Sequence, residues 1–99
     1  MEINKTDEGG KIILALSGKL SVNTAPQFQE TLISAFDGAK EIVLDFNELV
    51  FVSSAGLRVL LIGQETASEK RVPMSVHNVQ EAVMEVFDMT GFSNILTIV

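Results

Sequence analysis

Two adjacent serines, Ser53 and Ser54, stand between the apolar run Leu49-Val50-Phe51-Val52 and a stretch that opens Ala55-Gly56-Leu57-Arg58. Hydroxyls at a junction of strand and helix can do several kinds of chemistry. A serine oxygen can cap the helix by accepting a bond from an otherwise orphaned N–H. It can act as a nucleophile, since Gly56 two residues after Ser54 makes half of a G-x-S-x-G elbow. Val52 occupies the first glycine position, however, and the only histidine, His77, falls at the end of a later strand, so no catalytic residue is expected. An anion site needs a Gly-rich cradle with its lysine, and Gly9-Gly10 belongs to a hairpin turn instead. A plain helix cap and modification of the hydroxyl itself both remain open.

The elements around the serines follow from periodicity. Glu2 to Lys5 reads as a short edge strand, Asp7-Glu8-Gly9-Gly10 as a turn, and Lys11 to Ser17 as its hairpin partner. Gly18 to Asn23 is a loop. Thr24 and Gln27 have capping-box spacing, with Pro26 in the first turn of a helix that buries Phe28, Leu32, Ala35 and Phe36 and stops at Asp37-Gly38. The continuous run Ile42-Val43-Leu44 predicts a strand covered on both faces, with Asp45 at its end. Ser54 or Ala55 opens a second helix reaching about Glu69. Val72 to Val76 is a strand with Pro73 near its start, Asn78 caps a third helix ended by Thr90-Gly91, and Ile95 to Val99 closes the sheet. The fold class expected is α/β: one domain over residues 1–99, a mixed and mostly parallel sheet of four to five strands with about three helices.

Composition removes whole classes of partner. The chain of 99 residues carries 13 acidic and 7 basic residues, net −6, and no Lys/Arg cluster, so nucleic acid and anionic lipid are poor partners. Its apolar runs are too short to insert in a membrane, and Met1 to Lys5 lacks a signal-peptide pattern, which points to the cytoplasm. There is no cysteine, and no metal or cofactor is expected.

On the second helix Leu57, Leu60, Leu61, Gly63 and Ala67 crowd one side, while Ser54, Arg58 and Ile62 fall at i, i+4 and i+8 along the flank. An arginine and an exposed isoleucine thus trail from the serine. Arg58 opposes the helix dipole, whereas a phosphate on Ser54 would suit that dipole and reach Arg58.

The stretch from Asp45 to Leu60, with Phe51-Val52-Ser53-Ser54-Ala55-Gly56-Leu57-Arg58 at its centre, resembles the signature of STAS domains, in particular bacterial anti-sigma factor antagonists. Val86-Phe87-Asp88-Met89-Thr90-Gly91-Phe92 resembles their late helix-to-turn motif. The resemblance implies a binding module, not an enzyme. Its partner is an anti-sigma factor with serine kinase activity, captured by the unphosphorylated form so that a sigma factor is freed, and a phosphatase resets the switch. It places the phosphorylation on Ser54, with Ser53 as rival because relatives reading Asp-Ser-Ser-Gly have an acid there and a serine where this chain has Ala55. It places Ser21, Asn23 and Thr24 beside Ser53, Arg58 and Ile62 on the partner-binding face. Gly56 and Asp45 shape the site; for Asp45 a carboxylate that simply bonds loop amides is an equal reading. Two alternatives stay open: a STAS subunit of a transporter or signalling complex with no phosphoswitch, and a nucleotide-binding STAS domain.

Overall fold

The computed structural model describes residues 1–99. Strand β1 (Glu2–Glu8) and β2 (Lys11–Leu20) form the expected hairpin, both longer than their apolar cores. Gly9 and Gly10 turn it at φ 66° and 99°, and the Asp7 carboxylate accepts the Gly10 N–H at 2.9 Å. Helix α1 (Ala25–Ala35) then leads to β3 (Glu41–Val52), α2 (Ser54–Lys70), β4 (Met74–His77) and α3 (Glu81–Thr90).

The sheet runs β1-β2-β3-β4, with β1 antiparallel to β2 and the other pairs parallel. Strands laid down in sequential order by right-handed crossovers place every helix on the same face. The burial pattern agrees. Ile12, Leu14 and Leu16 of β2 with Ile42, Leu44 and Phe46 of β3 are buried against Phe28 and Leu32 of α1, Leu60 of α2 and Phe87 of α3. The opposite face carries Asn4, Ala15, Asp45 and His77 in one row and Thr6, Ile13, Val43 and Ser75 in the next. The expectation of a strand covered on both faces is therefore corrected. Val43 is buried by its neighbours within the sheet, not by a second layer.

Three further expectations change. Asp45 does not end β3; the strand continues to Val52, with register shifts between Ala15/Ser17 and Gly18/Lys19 where β3 takes one extra residue each time. Such irregular pairing breaks the alternation from which a strand is read. Ile95 to Val99 adds only one bridge, Val76 to Ile98, instead of a fifth strand. Asn78 is not the cap of α3: it adopts φ 57° and Gln80 flanks the helix. Asparagine tolerates that left-handed conformation, so it makes the turn before the helix.

Helix α1 buries Phe28, Leu32 and Ala35 as its spacing requires, and Phe36 just beyond is buried too. In α2 the buried positions are Gly56, Leu57, Val59, Leu60, Gly63 and Ala67, so Val59 takes the place expected of the half-buried Leu61. The two helical glycines are close-packed. A Cβ on Gly56 would lie 2.6 Å from Cγ of Leu20 and 3.0 Å from a Val52 methyl; one on Gly63 would lie 2.5 Å from a Leu32 methyl. Cγ of Leu20 is a branch point that cannot move alone, whereas the Leu32 methyl is a side-chain tip. Overpacking costs about 1–3 kcal/mol, against a helix-propensity gain of about 1 kcal/mol for Gly→Ala. Gly56→Ala is therefore expected to destabilise and Gly63→Ala to come out near neutral in urea unfolding. Equal losses in both would contradict this packing.

Candidate functional site

Strands β2 and β3 end in register, Leu20 opposite Val52, and the Ser53 N–H donates to the Leu20 carbonyl at 2.9 Å. The loop starting at Ser21 and the helix starting at Ser54 thus leave the carboxyl ends of adjacent parallel strands, the usual place for a site in an α/β sheet. Gly56 lets α2 press onto Leu20 and Val52 at this junction.

The two serines have different jobs in the geometry. Ser53 is the N-cap of α2: its backbone is extended and its Oγ accepts the Gly56 N–H at 3.3 Å. Ser54 opens the first turn, is exposed, and no protein group engages its hydroxyl. Ser53→Ala removes the cap and is expected to cost about 1 kcal/mol of unfolding free energy. Ser54→Ala should stay within roughly 0.5 kcal/mol of the parent, as exposed substitutions do. Chemical denaturation of both variants checks the contrast.

Arg58 is exposed one turn after Ser54, and Ile62 is half-buried a further turn on, less open than its position on the flank suggested. Ser54 and Arg58 line a shallow depression with Leu61, Thr90 and Phe92. The last two come from the end of α3 and the 3-10 turn after it (Phe92–Asn94). In the sequence Thr90-Gly91 reads only as a helix stop. The one available signal was the late Val86-to-Phe92 motif, which carries no information on what it packs beside.

The loop between β2 and α1 is fastened by Thr24. Its Oγ1 accepts the Ser21 N–H at 2.8 Å and donates to the Lys19 carbonyl at 2.9 Å. It therefore makes no capping bond to α1, and the expected capping box does not form. The hydroxyl is spent on holding the loop. Ser21 is half-buried, Asn23 exposed, and Val22 between them is 70% exposed. Phe51 (46%) just before the serines and Met89 (86%) at the end of α3 are also open to solvent. Exposed apolar side chains on three segments, all at or beside the ends of β2, β3 and α3, are the kind of surface that partners cover.

Asp45 lies elsewhere, on the open sheet face. Its Oδ1 accepts the Asn47 N–H at 3.0 Å and the Asn78 amide at 3.1 Å. By the register of β2, five residues separate its level from Val52, about 16 Å at the rise of a strand. His77, opposite Asp45 on β4, bonds the Ser75 hydroxyl through Nε2 at 2.9 Å. Neither side chain is brought to Ser54. No group of three or more His, Asp or Glu side chains is arranged to hold a metal.

Comparison with known proteins bears on this geometry. The family model described as "Mlab, STAS domain" matches residues 3–98. BtrV of Bordetella bronchiseptica, which is named as an anti-sigma factor antagonist, is 29% identical over 99 residues, covering 99% of this chain and 85% of that one. The anti-sigma F factor antagonist of Paenibacillus polymyxa is 29% identical over 100 residues, covering 99% and 86%. Among solved structures, the anti-sigma factor antagonist SpoIIAA in its unphosphorylated form superposes with a TM-score of 0.84 at 18% identity, covering 99% of this chain and 88% of that one. The phosphorylated form of the same Bacillus protein gives 0.76 at 18% identity, covering 99% and 91%. No helix of the chain is long and apolar enough to cross a membrane.

Proposed function

The chain belongs to the STAS domain family, and on that premise we propose that it is an anti-sigma factor antagonist switched by phosphorylation of Ser54. Unphosphorylated, it captures an anti-sigma factor with serine kinase activity and so releases a sigma factor; a phosphatase restores the free hydroxyl. The observation that carries this reading is the unengaged Ser54 hydroxyl on the first turn of α2, beside a depression ringed by Arg58, Thr90 and Phe92. Two relatives in sequence, each 29% identical, are named as anti-sigma factor antagonists.

The physics supports a switch at this position. The first turn of α2 presents unpaired N–H groups and the positive end of the helix dipole, so a phosphate is tolerated by the fold. Arg58 at i+4 is within reach of the same group. At an interface fitted to a neutral hydroxyl, about −1.5 to −2 charges bring desolvation and repulsion instead. Loss of binding then needs no rearrangement of the sheet. Ser53, spent on capping, is the poorer acceptor. Ser21, Asn23, Thr24, Ser53, Arg58 and Ile62 form the docking face around the switch.

The test is a phosphosite map of the protein recovered from its native cells in stressed and unstressed growth, with co-purified proteins identified. A phosphate on Ser54 that changes with conditions, together with a kinase-like partner, is the expected result. A Ser54 unmodified in every condition would sink the switch and favour a scaffold or transporter role for the same face.

A further inference from the structure

At the end of α2 remote from Ser54, a cleft of about 400 Å³ opens between the helix and the outer edge of β4. Its lining includes Gln64, Ser68 and Arg71 of and just after α2, Met74 of β4, and Glu41 and Thr97. The Ile42 N–H donates to the Pro73 carbonyl at 2.8 Å, so the alternation of a parallel ladder turns Pro73 and Ser75 toward β3 and directs the N–H and C=O of Met74 and Val76 outward.

The chain's own tail satisfies Val76, which donates to the Thr97 carbonyl at 2.8 Å and accepts the Val99 N–H at 2.9 Å. One step back along this ladder, Met74 would pair with Ile95 and Thr97. The tail leaves the edge at that point, because the Ile95 and Leu96 N–H groups donate to the Phe92 carbonyl at 2.9 and 2.8 Å. Met74 is only 4% exposed, yet its outward N–H and C=O have no strand beside them. In the same cleft the side-chain oxygen of Gln64 is buried without a partner. Buried polar groups are nearly always paired, so the unanswered Gln64 oxygen, beside an unpaired donor and acceptor on Met74, calls for an occupant.

We infer that this cleft binds an extended peptide segment of a partner protein, whose backbone adds to the β4 edge at Met74 and donates one N–H to Gln64. A peptide is the ligand that brings a donor and an acceptor at strand spacing, which is what Met74 offers. The chain's own tail already occupies the adjoining stretch of the same edge in this way. Glu41 and Arg71 in the lining carry opposite charges, so the cleft favours no strongly charged ligand. The site is independent of the Ser54 reading.

The test titrates the 15N-labelled full chain with the capped tripeptide acetyl-Val-Thr-Val-amide. Saturable shifts of the Met74 backbone amide and the Gln64 side-chain amide are expected, at an affinity on the order of millimolar, with Ser54 and Arg58 undisturbed. Gln64→Leu should weaken binding roughly fivefold, the effect of one lost hydrogen bond. Absence of a saturable shift at Met74 overturns the inference and assigns the cleft to solvent, as does unchanged affinity in a folded Gln64→Leu. If that variant does not fold, the titration of the parent chain decides.

Discussion

Under the proposed function, Ser54→Asp is expected to lower affinity for the anti-sigma factor that the domain captures by about 2–4 kcal/mol, roughly 30-fold to several-hundred-fold. The magnitude comes from placing one charge at the centre of an interface fitted to a hydroxyl, where its hydration is lost without a compensating group on the partner. The fold should not suffer, since an acidic group on the first turn of α2 is favoured by the helix dipole. Ser54→Ala separates charge from shape: it should bind within about 1 kcal/mol of the parent while taking up no phosphate from the kinase. Calorimetric titration of the three proteins, with circular dichroism to verify folding, gives the answer. An aspartate variant that binds as tightly as the parent would refute the switch. Phosphate still incorporated by the alanine variant would move the acceptor to another residue, with Ser53 the first to examine.

Phe87→Ala carries the largest expected cost to stability, about 3–5 kcal/mol. Phe87 is fully buried on α3 and its ring lies 6.5 Å from that of Phe46, tilted 39°, in the middle of β3. The only other buried residue of α3 is Val83, with Met84 and Val86 partly buried against the same core. Domains of this kind have about 5–15 kcal/mol in total, which makes the loss a large fraction of what there is. Phe87→Leu keeps most of the apolar volume and is expected to lose far less. A double-mutant cycle with Phe46→Leu should leave a coupling of about 0.5–1.5 kcal/mol for the aromatic pair. Because Thr90 and Phe92 follow directly on the chain, loosening α3 should also weaken partner binding in the folded Phe87→Leu variant. Urea unfolding measures the first effect. A Phe87→Ala domain as stable as its parent would mean that α3 is held by contacts other than this one.

Much of the fold around this site is legible in the sequence, and the reasons are local. The apolar spacing in Phe28, Leu32 and Ala35 marked α1 because helix periodicity survives any tertiary arrangement. That α2 opens at Ser54 or Ala55 followed from a hydroxyl pair ahead of a leucine-rich helical pattern, and Ser54 is its first residue. Thr90-Gly91 ended α3 because glycine enters the left-handed region freely, here at φ 81°.

What failed to show in the sequence depended on partners far along the chain. Thr24 has the spacing of a cap, but the Lys19 carbonyl and Ser21 N–H compete for its hydroxyl and win. Asn78 looks like a cap until Asp45, 33 residues away, takes its amide. The two shifts in β3 arise from pairing with β2, which no local pattern records.

By its own types and spacings the sequence determined the alternation of strands and helices, the serine pair at the mouth of α2 and the net charge of −6. Those are properties of neighbours, set by local geometry and by summed charge. Only the tertiary structure decided which serine caps and which stands free, because that depends on how the chain enters α2 from a strand pinned to Leu20. It also decided that Thr90 and Phe92 stand beside Ser54 while Asp45 does not, since the sequential order of a parallel sheet, not distance along the chain, sets which ends meet.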